Sequence, residues 1–107
     1  MELEIWIRPT CPACSNLRSV VIEYLQLHPE AEKHIYLFNI EDPNYTEFSK
    51  LYDILAIPTL LIVDPNDEIP KTIARSVGVT DLKSLEEFLS GRLVDIGLNT
   101  KKSLNGI

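Results

Sequence analysis

The 107-residue chain is poor in the residues that would assign it quickly: two cysteines, two histidines, one methionine and one tryptophan. It has no basic cluster beyond Lys101-Lys102, and 10 lysines and arginines against 16 aspartates and glutamates leave a net charge of −6. Nucleic-acid binding needs a basic footprint, so no nucleic-acid partner is expected, and no anionic membrane surface either. No apolar run approaches the roughly 20 residues that span a bilayer. Met1-Glu2-Leu3-Glu4 lacks the basic segment of a secretion signal, so a cytoplasmic location is expected. There are no repeats and no internal linker, and the length suits one domain with a single core. In a reducing compartment a lone cysteine pair points to catalysis, redox chemistry or a metal rather than to a permanent staple.

What is present alternates in period. Leu3 to Ile7 is a short apolar run, read as a strand covered on both faces. From Pro12 to about His28, Cys14, Leu17, Val21, Tyr24, Leu25 and His28 recur at helical spacing. His34 to Ile40 is a second strand. Asp42 then caps a helix from Pro43 whose inner side carries Tyr45, Phe48, Leu51, Tyr52 and Leu55. Thr59 to Val63 is a dense strand, and Asp64-Pro65-Asn66-Asp67 is a turn. A fourth strand runs from about Ile69 to Val77. After a Thr80 cap, Leu82, Leu85, Phe88 and Leu89 mark a helix ending at Ser90-Gly91. The order βαβαββα predicts an α/β fold: a four-stranded mixed sheet with two right-handed crossovers and a closing hairpin, flanked by three helices. Residues 1–92 form the domain, and 93–107 form a loosely ordered extension with Leu93 and Ile96 docked on the body.

Both cysteines sit where the first strand gives way to the first helix. Cys11 falls at the helix cap, where unpaired N–H groups and the helix dipole favour a thiolate, and Arg8 adds positive charge. Pro12 opens the helix at a position that needs no N–H donor. Cys14, one turn in, faces the core and should keep a higher pKa. An exposed thiolate beside a shielded thiol suits dithiol exchange. A zinc site needs about four ligands, and neither a second cysteine pair nor a nearby histidine exists, so no metal is expected. A structural disulfide across so short a loop would constrain the unfolded chain little. Inert core thiols would not explain the clustering with Pro12 and Arg8.

Arg8-Pro9-Thr10-Cys11-Pro12-Ala13-Cys14 resembles the glutaredoxin active site, with a basic residue three before the first cysteine and a threonine just before it. Tyr52-Asp53-Ile54-Leu55-Ala56-Ile57-Pro58-Thr59-Leu60 is similar to the thioredoxin segment that carries a cis-proline, and Val77-Gly78 to the thioredoxin Val-Gly. Residues 3 to about 92 thus resemble the thioredoxin/glutaredoxin superfamily, in the mixture shown by small archaeal glutaredoxin-like thioredoxins. The resemblance implies a thioredoxin-like fold and a thiol–disulfide oxidoreductase. Cys11 would attack and Cys14 resolve, with Arg8 and Pro12 tuning the pKa. Thr10, Ile57, Pro58 and Gly78 would meet the substrate. It implies no cofactor, disulfide-containing protein substrates, an external reductant (a thioredoxin reductase-like enzyme or a small thiol) and a monomer. Pro12 argues against the iron–sulfur cluster that some glutaredoxins hold between two sites.

The chain also departs from the pattern. Ile5 stands where thioredoxins keep a buried aspartate, and Leu37 where a lysine often accompanies it, so water or a nearby group would have to take the Cys14 proton. Ala56-Ile57-Pro58 and a lone Gly78 differ from glutathione-binding glutaredoxins. Trp6 reads as core. The alternative is a thioredoxin-like binding module or a redox sensor without turnover. Circadian-clock domains carry a stretch similar to Ile54–Leu60 but lack the cysteine pair.

Overall fold

Glu2–Ile7 forms β1, followed by α1 over Pro12–Leu27, a 3-10 turn at Pro29–His34 and β2 at Ile35–Asn39. A second 3-10 turn at Pro43–Tyr45 leads into α2, Thr46–Leu51, and then come β3 at Thr59–Asp64, β4 at Lys71–Ser76 and α3 at Leu82–Leu89. The structure, a computed structural model, describes residues 1–66 and 71–90. The expected extension 93–107, with Leu93 and Ile96, lies outside the described residues, as do Asp67, Glu68 and the expected strand start at Ile69.

The described strands form one mixed sheet in the order β2-β1-β3-β4. β1 runs parallel to β2, with Ile7 opposite Asn39, and antiparallel to β3, with Trp6 opposite Thr59. β4 closes an antiparallel hairpin with β3, with a register shift at Ile62/Val63. The four-stranded mixed α/β sheet is as expected, but only the first of the two expected parallel crossovers forms: β3 runs antiparallel to β1 and so to β2, and the unit around α2 reverses the chain instead. Leu60 and Ile62 point to one face with Leu3 and Ile5, and meet Leu17, Val21 and Tyr24 of α1 and Leu85 and Leu89 of α3. Leu61 and Val63 point to the other face and pack with Trp6 and Tyr52. Two covered faces explain why the central strands read as unbroken apolar runs.

Helix ends depart from expectation in two places. The helix expected from Pro43 opens as a 3-10 turn, with Asp42 accepting the Asn44 N–H at 2.9 Å, and turns α-helical only at Thr46. It stops at Leu51 because Asp53 adopts φ 56°, while Ile54 N–H bonds to Ser49 C=O and Asp53 N–H to Lys50 C=O, both at 3.0 Å. That pair of bonds is a Schellman closure with an aspartate in place of the usual glycine. Of the expected inner face, Tyr45 and Tyr52 pack inward, but Leu51 is exposed and Leu55, beyond the closure, is 86% exposed. At α3 the cap is Asp81 rather than Thr80. Asp81 Oδ1 accepts the Ser84 N–H at 2.8 Å, and Ser84 Oγ accepts the Asp81 N–H at 3.1 Å.

Ile5 is fully buried between the sheet and α1. Ile5→Ala should lower the unfolding free energy by about 2–5 kcal/mol, seen as a lower urea midpoint at unchanged slope. Leu55→Ala should stay within about 0.5 kcal/mol of the parent.

Candidate active site

The sheet topology gathers the expected site residues at one end. β1 runs out into Arg8–Cys11, while antiparallel β3 begins just after Ile57-Pro58, because Trp6 faces Thr59. β4 finishes beside them, since Ser76 faces Leu60 and Gly78 follows two residues later. The Ile57-Pro58 peptide is cis, as the family resemblance implied. Thr59, buried, donates its hydroxyl to Ala56 C=O and closes the loop around that bond. Asn16 in the first turns of α1 donates to Thr80 C=O at 3.0 Å, joining the helix to the segment after Gly78.

At the start of α1 the cap is a sulfur. Cys11 is extended (φ −138°, ψ 108°), Pro12 takes the first helical position, and Cys11 Sγ accepts the Cys14 N–H at 3.1 Å. A serine, threonine or aspartate oxygen usually does this. Cys11 is partly exposed, whereas Cys14 is 2% exposed, and both are free thiols. The Cys11 thiol is held below the ordinary cysteine value, chiefly by the hydrogen bond from the Cys14 thiol. Partial burial opposes this, backbone bonds from the Cys14 and Ala13 amides reinforce it, and the charge of Arg8 contributes least. Burial pushes the Cys14 thiol up, and its bond to Cys11 adds to this, while a backbone hydrogen bond from Arg8 pulls the other way. The two sulfurs therefore differ as a dithiol exchanger requires.

Arg8 is not free beside the thiolate. Its Nε lies 3.2 Å from Glu41 Oε2, and both side chains are about half exposed. Glu41 reads in sequence as part of a helix cap, yet the parallel β1–β2 pairing brings residues 8 and 41 together just past the strand ends. The Ile40 N–H bonds to Ile7 C=O at 2.9 Å and fixes that corner. Arg75 on β4 is a second residue that the sequence did not single out. Its guanidinium donates to Tyr52 C=O and, at 3.1 Å, to Asp53 C=O, so it satisfies the two carbonyls just past α2 and pins the chain that leads to Ile57-Pro58. Thr10 and Gly78 are exposed, and a Cβ added at Gly78 would meet open space. His28, at the far end of α1, lies near Glu30 and Glu86 and stacks on Tyr24. Ile5 leaves no carboxylate on the α1 side of β1 at its position, whereas Glu4 faces the opposite side, where burial raises its pKa.

The ranking of influences on Cys11 can be measured by following iodoacetamide alkylation against pH, with mass mapping of the labelled residue. Cys11 should react with a midpoint below the ordinary value of about 8.5. Cys14→Ala should move that midpoint up, and Arg8→Ala should move it up by less. A larger shift from Arg8→Ala would reverse the order.

Comparison with known proteins places the fold. No family model and no curated protein sequence matches the chain. A thioredoxin from Thermus thermophilus superposes with a TM-score of 0.68 at 15% identity, covering 96% of this chain and 81% of its own. Thioredoxin O2 from Arabidopsis thaliana in its oxidised state gives 0.61 at 19% identity, over 82% of this chain and 70% of its own. A malarial protein gives 0.54 at 18%, over 90% and 94%. At these identities the likeness is one of architecture, and the architecture of this chain is the thioredoxin fold.

Proposed function

We propose that the chain is a thiol–disulfide oxidoreductase that reduces disulfides through Cys11 and Cys14. The observation that carries this reading is the unlike pair of sulfurs at one helix start. Cys11 is partly exposed, bonded by the Cys14 N–H and lowered in pKa, whereas Cys14 is buried and raised. Thioredoxin-fold neighbours support the reaction class.

In the proposed cycle the Cys11 thiolate attacks one sulfur of a substrate disulfide, forming a mixed disulfide and releasing the other substrate sulfur as a thiolate. Cys14 loses its proton to water and attacks Cys11 Sγ. The Cys11–Cys14 bond forms, and the second substrate thiolate leaves. The substrate has gained two electrons, and an external reductant, an enzyme or a small thiol, returns two electrons and two protons to the pair. The Ile57 backbone beside Pro58 would pair with a substrate strand, with Thr10 at the rim. Open space at Gly78 suits the approach of a second backbone. We take the protein to act as a monomer on protein disulfides in the cytoplasm. No described helix is long and apolar enough to cross a membrane.

Insulin reduction with dithiothreitol tests the reading. The parent should accelerate precipitation over background, Cys11→Ser should abolish the acceleration, and Cys14→Ser should accumulate mixed disulfides visible by mass spectrometry. Gly78→Ala should fold normally but raise KM. A parent rate equal to background would overturn the proposal.

A further inference from the structure

The face of the sheet away from α1 holds a cavity of about 150 Å³, lined by Glu4 and Trp6 of β1, Phe38 of β2, Tyr45, and Phe48 and Tyr52 around α2. Five of these six side chains are aromatic, and the sixth is a carboxylate. Trp6 stacks on Phe38 with centroids 4.9 Å apart. Tyr45 and Tyr52 stand at 85° and 67° to Trp6, each 6.3 Å away. We propose that this cavity binds an alkylammonium cation, the chemistry shared by a free amine and a lysine side chain. The site is separate from Cys11 and Cys14 and does not rest on their reactivity.

Charge and shape both support that occupant. Glu4 Oε1 accepts the Trp6 Nε1–H at 3.1 Å. Among the described residues no cation pairs with this carboxylate. Arg75 projects from the same face in the row Glu4–Leu61–Arg75, but its guanidinium is bonded to the Tyr52 and Asp53 carbonyls. Glu2, two residues along the same strand and therefore on the same face, adds a second negative charge beside Glu4 and accepts the Tyr36 hydroxyl at 3.3 Å. A partly buried carboxylate without a cation is costly in an apolar setting, and an incoming ammonium would relieve that cost. Aromatic ring faces attract the same ion through their quadrupoles, most strongly in a desolvated pocket. A void of this size is enough for a benzene-sized molecule (~150 Å³). Phe48, 47% exposed, lines the cavity at its solvent side. The net charge of −6 disfavours anions as competitors for the site.

Trp6 is the chain's one tryptophan and lines the cavity, so its fluorescence reports occupancy directly. The titration compares choline with 3,3-dimethylbutanol, its uncharged carbon isostere, at constant ionic strength and mildly alkaline pH. Choline should give a saturable change, and the isostere should bind at least tenfold more weakly. Glu4→Gln should weaken choline about tenfold and leave the isostere unchanged. Phe48→Ala, at a half-exposed position, provides a second variant and should also weaken choline. Nα-acetyl-lysine methylamide is a parallel arm: tighter binding than choline assigns the site to a lysine-bearing peptide, and weaker binding assigns it to a small free ammonium ion. Equal affinities for choline and the isostere, or no saturable change with either, would overturn the proposal. Insulin reduction should be unchanged in Glu4→Gln.

Discussion

Leu60, Leu61, Ile62 and Val63 follow one another through the centre of the sheet, so alternate side chains need cover on opposite sides. With β1 alongside, this strand cannot be satisfied by one layer of helix. The β1–α1–β2 crossover supplies α1 on one side, and α3 joins it there, while the short α2 and its flanking turns serve the other. Everything at the cysteine end follows from that arrangement. β1 must end where α1 begins, and β3 must begin beside it, so the cysteine pair and the cis Ile57-Pro58 peptide share one edge of the molecule.

The site rests on short-range hydrogen bonds more than on long-range charge. The strongest influence on Cys11 is its partner thiol one helical turn away, and backbone amides act with it. Arg8, the residue that looks most like an electrostatic activator in the sequence, is half exposed and engaged by Glu41. Screening by water weakens such a charge at the surface. The helix start, with its fixed donors, is not open to that dilution.

Much of this was legible from residue order. Pro12 at a helix start, the unbroken apolar runs of the central strands and the turn at Asp64 located most of the described elements to within a residue or two. The Cys11–Cys14 spacing located the candidate site. The end of α2 was not legible, because the closure uses Asp53 in a left-handed conformation where sequence reasoning looks for glycine. Leu55 keeps the helical spacing past that point without a helix to present it. The roles of Glu41 and Arg75 depend on which strands become neighbours, and no local pattern encodes that. The second-face cavity escaped notice for a related reason. Phe48 and Tyr52 read as the inner side of a helix, and only β1–β2 pairing, which adds Phe38, and the early end of α2 set them around Glu4.

The sulfur cap of α1 also joins two properties that are usually discussed apart. A thiolate at Cys11 is a better acceptor for the Cys14 N–H than a disulfide sulfur, so the cap bond weighs on the stability of the folded chain and on the redox balance of the dithiol together. A closed cycle of folding and reduction requires the two effects to be equal. Whatever stability the folded chain gains on reduction is also the amount by which folding makes the dithiol harder to oxidise. The redox poise of such a protein is therefore written partly in its helix cap, and a chemical denaturation curve taken in each redox state would read it out.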